Sequence, residues 1–212
     1  MKPVLFFDLD GTLTDSAPGI FAAIRYAQRQ ARLRALDEAE LRSCVGPPLN
    51  ESFIRLWGVG REEAEHLLEV YRIYYRATGI FENAPYPGIR ETLEALSEKA
   101  ELRVCSAKPT EMIRTVLTHF DLSRFFSSVS GAALHGTFPG KGVFLRASRE
   151  PGRPALMIGD RQDDMTGARD AGIPGAGVLW GYGSREELLK SGAAYLVKRP
   201  DELPKLVDTL FH

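Results

Sequence analysis

The sequence predicts an α/β protein: a Rossmann-like, mostly parallel sheet with helices on both faces, interrupted by an inserted helical bundle. Three observations carry that prediction. A run of bulky apolar residues, Val4-Leu5-Phe6-Phe7, opens the chain and ends in Asp8-Leu9-Asp10-Gly11-Thr12. This is the pattern of a buried central strand that delivers acids to the sheet edge where open α/β folds bind ligands. From about Ser16 to Thr78 the pattern is helical throughout. From Tyr86-Pro87-Gly88 onward, short apolar runs alternate with helical ones.

The elements follow in order. Asp10-Gly11 is also a hairpin signal, but a hairpin needs a second alternating run straight after Thr12. Leu13-Thr14-Asp15-Ser16 leads instead into Ala17-Pro18-Gly19 and a helix. Ser16 is placed to N-cap that helix, with Ile20, Ala23, Ile24, Ala27 and Ala31 on one face. Asp37 and Glu40 form a capping-box pair for a second. Asn50 caps a third, which Gly58 ends, and a fourth runs from about Arg61 until Gly79. Between the second and third, Gly46-Pro47-Pro48 is stiff and cannot continue a helix. Beyond the bundle, a helix from Ile89 precedes a strand at 102–105, and Pro109 at an N1 position opens the next helix. Further strands are expected at about 127–130, 155–158, 177–179 and 195–197. The α/β core is therefore expected over 1–15 and 87–212, with the helical insertion over 16–86. Two linkers at one end of a sheet are how a mobile lid is attached.

Composition narrows the partners. Across 212 residues, 44% hydrophobic and 26% charged content is ordinary for a globular chain, and a net charge of −1 supplies no basic field for polymeric nucleic acid. An anionic substrate must then be held by local charge. Cys44 and Cys105 lie far apart in different kinds of segment, which points to reduced thiols and a cytoplasmic setting. No stretch approaches the length of a membrane span, and the opening apolar run lacks the length and cleavage pattern of a signal peptide. No membrane partner is expected.

Four places carry chemistry. Asp8 and Asp10 come first. Strand alternation would send them to opposite faces, but a turn at Gly11 lets both line one crevice, where crowded carboxylates call for a cation. Ser106 comes second, leading through Ala107-Lys108 toward the Pro109 helix, where a hydroxyl and helix N–H groups suit phosphate oxygens. Third is Lys141 in Pro139-Gly140-Lys141-Gly142, at a helix N-terminus that disfavours a cation unless an anion lies in front of it. Lys108 competes for that role, but reads better as a solvated residue before Pro109. Fourth is Met157-Ile158-Gly159-Asp160-Arg161-Gln162-Asp163-Asp164, an apolar strand ending in acids, with Asp160 and Asp164 able to face one crevice. Gly175-Ala176-Gly177 and Gly181-Tyr182-Gly183 lack dinucleotide-fingerprint spacing and read as tight loops. Phe53, Trp57, Tyr71, Tyr74 and Tyr75 stand at helical spacing and read as bundle core, with stacking on a base as the alternative.

Together these motifs resemble the haloacid dehalogenase superfamily phosphatases. The likeness runs from Phe6-Phe7-Asp8-Leu9-Asp10-Gly11-Thr12-Leu13 through Ser106, Lys141 and Gly159-Asp160-Arg161 to Gly177-Val178-Leu179-Trp180-Gly181-Tyr182-Gly183-Ser184. The insertion resembles that superfamily's small helical cap, and the nearest groups are phosphoglycolate phosphatases and 5′-nucleotidase-like relatives. The resemblance implies a phosphomonoesterase acting on a small phosphorylated metabolite through an aspartyl-phosphate. It makes Asp8 the nucleophile and a metal ligand, and Asp10 the acid and base, with a metal-binding main-chain carbonyl. Asp160 becomes a metal ligand and Asp164 a second acid of the metal site, with Asp163 as the alternative. Ser106 and Lys141 hold the phosphoryl group. Ala107 stands where a polar Asn or Ser is common, so it offers the phosphate only its N–H. Mg²⁺ suits this all-oxygen set, since no His or Cys is placed to coordinate a softer metal. The alternatives are a sugar-phosphate mutase of the same superfamily and a receiver-type phosphorylation switch. A haloacid dehalogenase has no task for Asp10 or Asp160.

Overall fold

The computed structural model describes residues 1–134 and 139–211. In chain order the elements are β1 (Val4–Phe7), β2 (Thr14–Asp15), α1 (Ala17–Gln30), α2 (Glu38–Arg42), α3 (Leu49–Trp57), α4 (Arg61–Ala77), β3 (Ala84–Pro85), α5 (Ile89–Lys99) and β4 (Glu101–Pro109). There follow α6 (Thr110–His119), β5 (Phe126–Ala132), α7 (Lys141–Ser148), β6 (Ala155–Gly159), α8 (Gln162–Ala171), β7 (Gly175–Val178), α9 (Arg185–Lys190), β8 (Tyr195–Val197) and α10 (Leu203–Phe211).

Among the described residues, six strands form one sheet in the order β5-β4-β1-β6-β7-β8, paired in parallel throughout. The α/β class expected from the sequence is the one observed. β1 is buried along its whole length, as a strand covered on both faces must be. Val4 and Phe6 join Cys105, Leu145, Met157 and Ala168 in a core cluster on one face. Leu5, Phe7, Leu156 and Ile158, of opposite parity in β1 and β6, are buried as well. The chain steps from β1 outward through β4 to β5, then crosses back to β6 and runs outward the other way. That reversal makes the C-terminal end of β1 the switch point, where open α/β sheets place their ligands.

By contact density the chain divides into two compact units, Met1–Thr14 with Pro85–His212, and Asp15–Ala84. The two crossings, β2 and β3, pair as a two-stranded sheet. Within the second unit, Asp37 and Glu40 complete the capping box expected for α2, and Gly58 ends α3 in the left-handed conformation. Phe53, Tyr71 and Tyr75 are buried, with the two tyrosine rings stacked 5.3 Å apart, so these aromatics are bundle core.

Several local expectations are corrected. Ser16 occupies the N-cap position of α1, but its hydroxyl makes no capping bond; the Asp15 carboxylate accepts from the Ala17 N–H at 3.3 Å instead. α1 ends at Gln30, which leaves Ala31 exposed beyond it. Pro48, not Asn50, stands at the N-cap of α3, and Asn50 lies within the helix with its amide on Glu65. Pro109 does not open a helix: its ψ of 135° is extended, β4 runs on to it, and α6 starts one residue later. A residue before proline is pushed out of the helical region, which keeps Lys108 in the strand.

Candidate active site

β1 hydrogen-bonds to β4 and β6 with Phe7 opposite both Val104 and Ile158. Asp8, one residue on, therefore emerges level with Cys105 and Gly159, held by its N–H on the Ile158 carbonyl at 2.9 Å. The chain then folds back on itself, with Gly11 N–H on the Thr14 carbonyl at 2.8 Å. Gly11 is needed there twice over. Its φ is +83°, and a Cβ would lie 2.2 Å from Oδ2 of Asp160. This turn brings the acids of the first and fourth motifs together.

Asp8 is buried. Its Oδ1 accepts from the Leu9 N–H at 2.7 Å, and its Oδ2 lies 2.7 Å from Lys141 Nζ. Lys141 is the first residue of α7, also buried, and its ammonium reaches Asp164 as well. The anions that the sequence demanded in front of this lysine are thus two carboxylates. Burial works against the lysine's charge, but Asp164 and Asp8 outweigh it and hold its pKa above the ordinary lysine value. Asp164 sits in the first turn of α8 and takes the Arg161 N–H at 2.9 Å. Asp160 follows β6, with Oδ1 accepting from the Thr12 hydroxyl at 3.1 Å and Oδ2 from the Tyr182 N–H at 2.8 Å.

Asp8, Asp160 and Asp164 each offer an oxygen within 4.8 Å of the others, all three buried. Burial, then the charges of Asp164 and Asp8, pushes the Asp160 carboxyl up to about 8. Burial also raises Asp164, against the pull of Lys141. Three crowded carboxylates with one ammonium between them are short of positive charge. An all-oxygen site of this kind fits a hard divalent cation. Asp163 is only half-buried and stands outside the cluster.

Asp10 points its carboxylate elsewhere. Lys108 Nζ lies 2.9 Å from its Oδ1 and 2.7 Å from its Oδ2, with the two side chains 6% and 12% exposed. The reading of Lys108 as a solvated residue is therefore wrong. Because β4 continues past Cys105, its alternation turns Lys108 inward rather than to solvent. Ser106 is buried in the same stretch, its hydroxyl accepting from the Lys108 N–H at 3.3 Å, and Ala107 beside it is half-buried.

Sequence reasoning missed Thr12 and the Gly181-Tyr182-Gly183 loop as parts of this site. Trp180 Nε1 donates to the Thr12 carbonyl at 3.0 Å, which ties the loop to the β1 turn. A Cβ on Gly183 would lie 1.9 Å from the Asp160 carbonyl oxygen. The available signal was the pair of glycines two residues apart, the mark of close backbone approach.

A family model described as haloacid dehalogenase-like hydrolase matches residues 5–178. The 5′-nucleotidase of Pseudomonas aeruginosa is 36% identical over 191 residues, 88% of this chain and 86% of that protein. The phosphoglycolate phosphatase of Caulobacter vibrioides is 34% identical over 215 residues, 96% of this chain and 90% of that protein. Tyrosine-protein kinase PtkA of Mycobacterium tuberculosis is also 34% identical, over 89% of this chain and 66% of that protein. Among solved structures, that of a predicted phosphatase from Clostridium acetobutylicum superposes with a TM-score of 0.92 at 38% identity, covering 99% of this chain and all of that one. Among the described residues, no helix is long and apolar enough to cross a membrane.

Proposed function

The chain belongs to the haloacid dehalogenase-like hydrolase family and is a phosphatase, and from that premise we propose that it hydrolyses a small phosphomonoester, with Mg²⁺, through an aspartyl-phosphate on Asp8. The observation that carries the reading is the buried trio Asp8, Asp160 and Asp164 beside the Lys141 ammonium. Asp8, Asp160 and Asp164, with the main-chain carbonyl of Asp10, would hold Mg²⁺, which when bound offsets the charge gathering on the phosphoryl oxygens.

In the first step a carboxylate oxygen of Asp8 attacks phosphorus and the ester P–O bond breaks. The departing oxygen keeps the electron pair and takes a proton from Asp10. In the second step a water attacks phosphorus and gives its proton to Asp10. The bond from Asp8 to phosphorus then breaks and inorganic phosphate leaves. The Ser106 hydroxyl, the Ala107 N–H and the Lys141 ammonium receive the phosphoryl oxygens.

The names of the two phosphatase relatives support phosphoglycolate or a nucleoside 5′-monophosphate as substrate. In this reading the unit Asp15–Ala84 acts as a cap that keeps bulk water from the reacting group. Its stiff Gly46-Pro47-Pro48 stretch is the candidate for reading the leaving group. Free, buried Cys44 and Cys105 support a reducing, cytoplasmic setting.

Phosphate release from both substrate types, in Mg²⁺ and in chelator, tests the proposal. Asp8→Asn is expected to lose turnover together with hydroxylamine-sensitive phosphoenzyme. Normal turnover in Asp8→Asn, or in chelator, would overturn it. The tyrosine-protein kinase relative motivates one further arm, in which ATP and a tyrosine peptide replace the ester, and phosphopeptide there would favour transfer over hydrolysis.

A further inference from the structure

Each acid of Asp8-Leu9-Asp10 has its own buried lysine. Lys141, from α7, serves Asp8 and Asp164; Lys108, from β4, serves Asp10. The second pair joins residues 98 apart in sequence, and the ammonium bonds to both carboxylate oxygens. Lys108 can reach Asp10 only because β4 overhangs β1: Phe7 ends β1 opposite Val104, while β4 continues to Pro109. Stability is a weak reason for such a pair. Desolvating two charges cancels most of their attraction, and an apolar replacement of similar size often serves as well.

Position is a better reason. An aspartate has two free side-chain torsions, and Asp10 lies beyond the end of β1, in an isolated bridge to Thr14, rather than inside a packed strand. Two bonds from one buried ammonium hold its carboxylate in a single orientation. We infer that Lys108 is a positioning residue for Asp10, holding its side chain in the orientation from which, once protonated, it gives its proton to the leaving oxygen. The inference rests on the proposed role of Asp10 as acid and base. It assigns Lys108 no contact with the phosphoryl group, which distinguishes it from Lys141.

That distinction is measurable. An alkyl phosphate needs its leaving oxygen protonated as the ester bond breaks, whereas p-nitrophenolate departs readily as an anion. kcat/KM reports events up to that first transfer, so it isolates the leaving-group step from later attack by water. Three variants, Lys108→Met, Lys108→Arg and Asp10→Asn, are compared with the parent on phosphoglycolate or a nucleoside monophosphate, whichever the parent turns over faster, and on p-nitrophenyl phosphate. Circular dichroism confirms that each is folded.

Lys108→Met is expected to lose about 10²-fold in kcat/KM on the alkyl ester, the scale of a misplaced catalytic group, and less than about 10-fold on the nitrophenyl ester. With the nitrophenyl ester, a burst of nitrophenolate should precede a slowed steady state, since Asp10 also serves the water step. Lys108→Arg, which keeps the charge and the donors, should recover part of the alkyl-ester loss. Equal losses on both esters, or no loss on either, would overturn the inference when Asp10→Asn does discriminate between them. Should Asp10→Asn itself fail to discriminate, the acid role of Asp10 fails, and the inference falls with it.

Discussion

Replacing Lys141 with methionine removes one ammonium while keeping nearly the same length of chain, so the change isolates charge from packing. In the native protein that ammonium lies against Asp8 and Asp164, with all three side chains at most 3% exposed. Removing one partner of a buried ion pair costs about 3–5 kcal/mol, because the charge left behind has neither water nor counter-ion. At roughly 2–4 °C per kcal/mol for a chain of this size, Lys141→Met should lower Tm by about 6–20 °C in metal-free buffer at pH 8.5. Lys141 has a raised pKa, so its own charge is fully present below the unfolded value of 10.5 and its titration adds no pH dependence between pH 5 and 9. The change with pH in the variant must come from the acids. Asp160, raised to about 8 from 3.8, binds a proton as pH falls through its folded value, and Asp164, also raised, does the same. The loss in Tm should therefore shrink markedly at pH 5.5, and Mg²⁺ should restore part of it at pH 8.5. Thermal melts of parent and variant at both pH values, with and without Mg²⁺, measure this. Lys190→Met, which breaks an exposed pair with Glu186, is the control and should stay within about 0.5 kcal/mol of the parent. A Lys141→Met loss no larger than that control, or equal at both pH values, would refute the charge argument.

Three further outcomes are expected. Gly183→Ala puts a methyl against the Asp160 carbonyl oxygen, a backbone atom that cannot swing away. It should cost about 1–3 kcal/mol and lower activity, whereas Gly60→Ala, in open space at the N-cap of α4, should leave activity unchanged and cost less than about 1 kcal/mol. In the parent without metal, the raised Asp160 makes the folded state hold more protons than the unfolded one between about pH 3.8 and 8, so this group's contribution to stability declines as pH rises through that window. The gain in Tm on adding Mg²⁺ should accordingly be larger at pH 8.5 than at pH 6; an equal gain would argue against ion binding at these acids. Burial holds the Cys44 thiol up at about 11 and the Cys105 thiol up at about 12, so mass spectrometry should find neither alkylated in the native protein at pH 8.

The α/β architecture was legible in the sequence, as were the acids at the ends of β1 and β6 and the lysine that opens α7. Each is written in a few consecutive residues: an apolar run that stops at Asp8 or Gly159-Asp160, and Gly140-Lys141 before a helical pattern. A local signal erred at the end of β4. Pro109 suits a helix start, yet its ψ of 135° continues the extended backbone and carries β4 four residues beyond Cys105. That extension decided the rest. Whether Lys108 meets water or Asp10 depends on the parallel register of β1 against β4, a relation between residues 98 apart that no local pattern encodes. Asp160 likewise draws Thr12 from 148 residues away and the Tyr182 N–H from the loop after β7. The sequence by itself therefore determined which carboxylates and which helix-opening lysine reach the sheet edge. Only the tertiary structure decided which charge each of them faces, because register and strand order set the distances that electrostatics obeys.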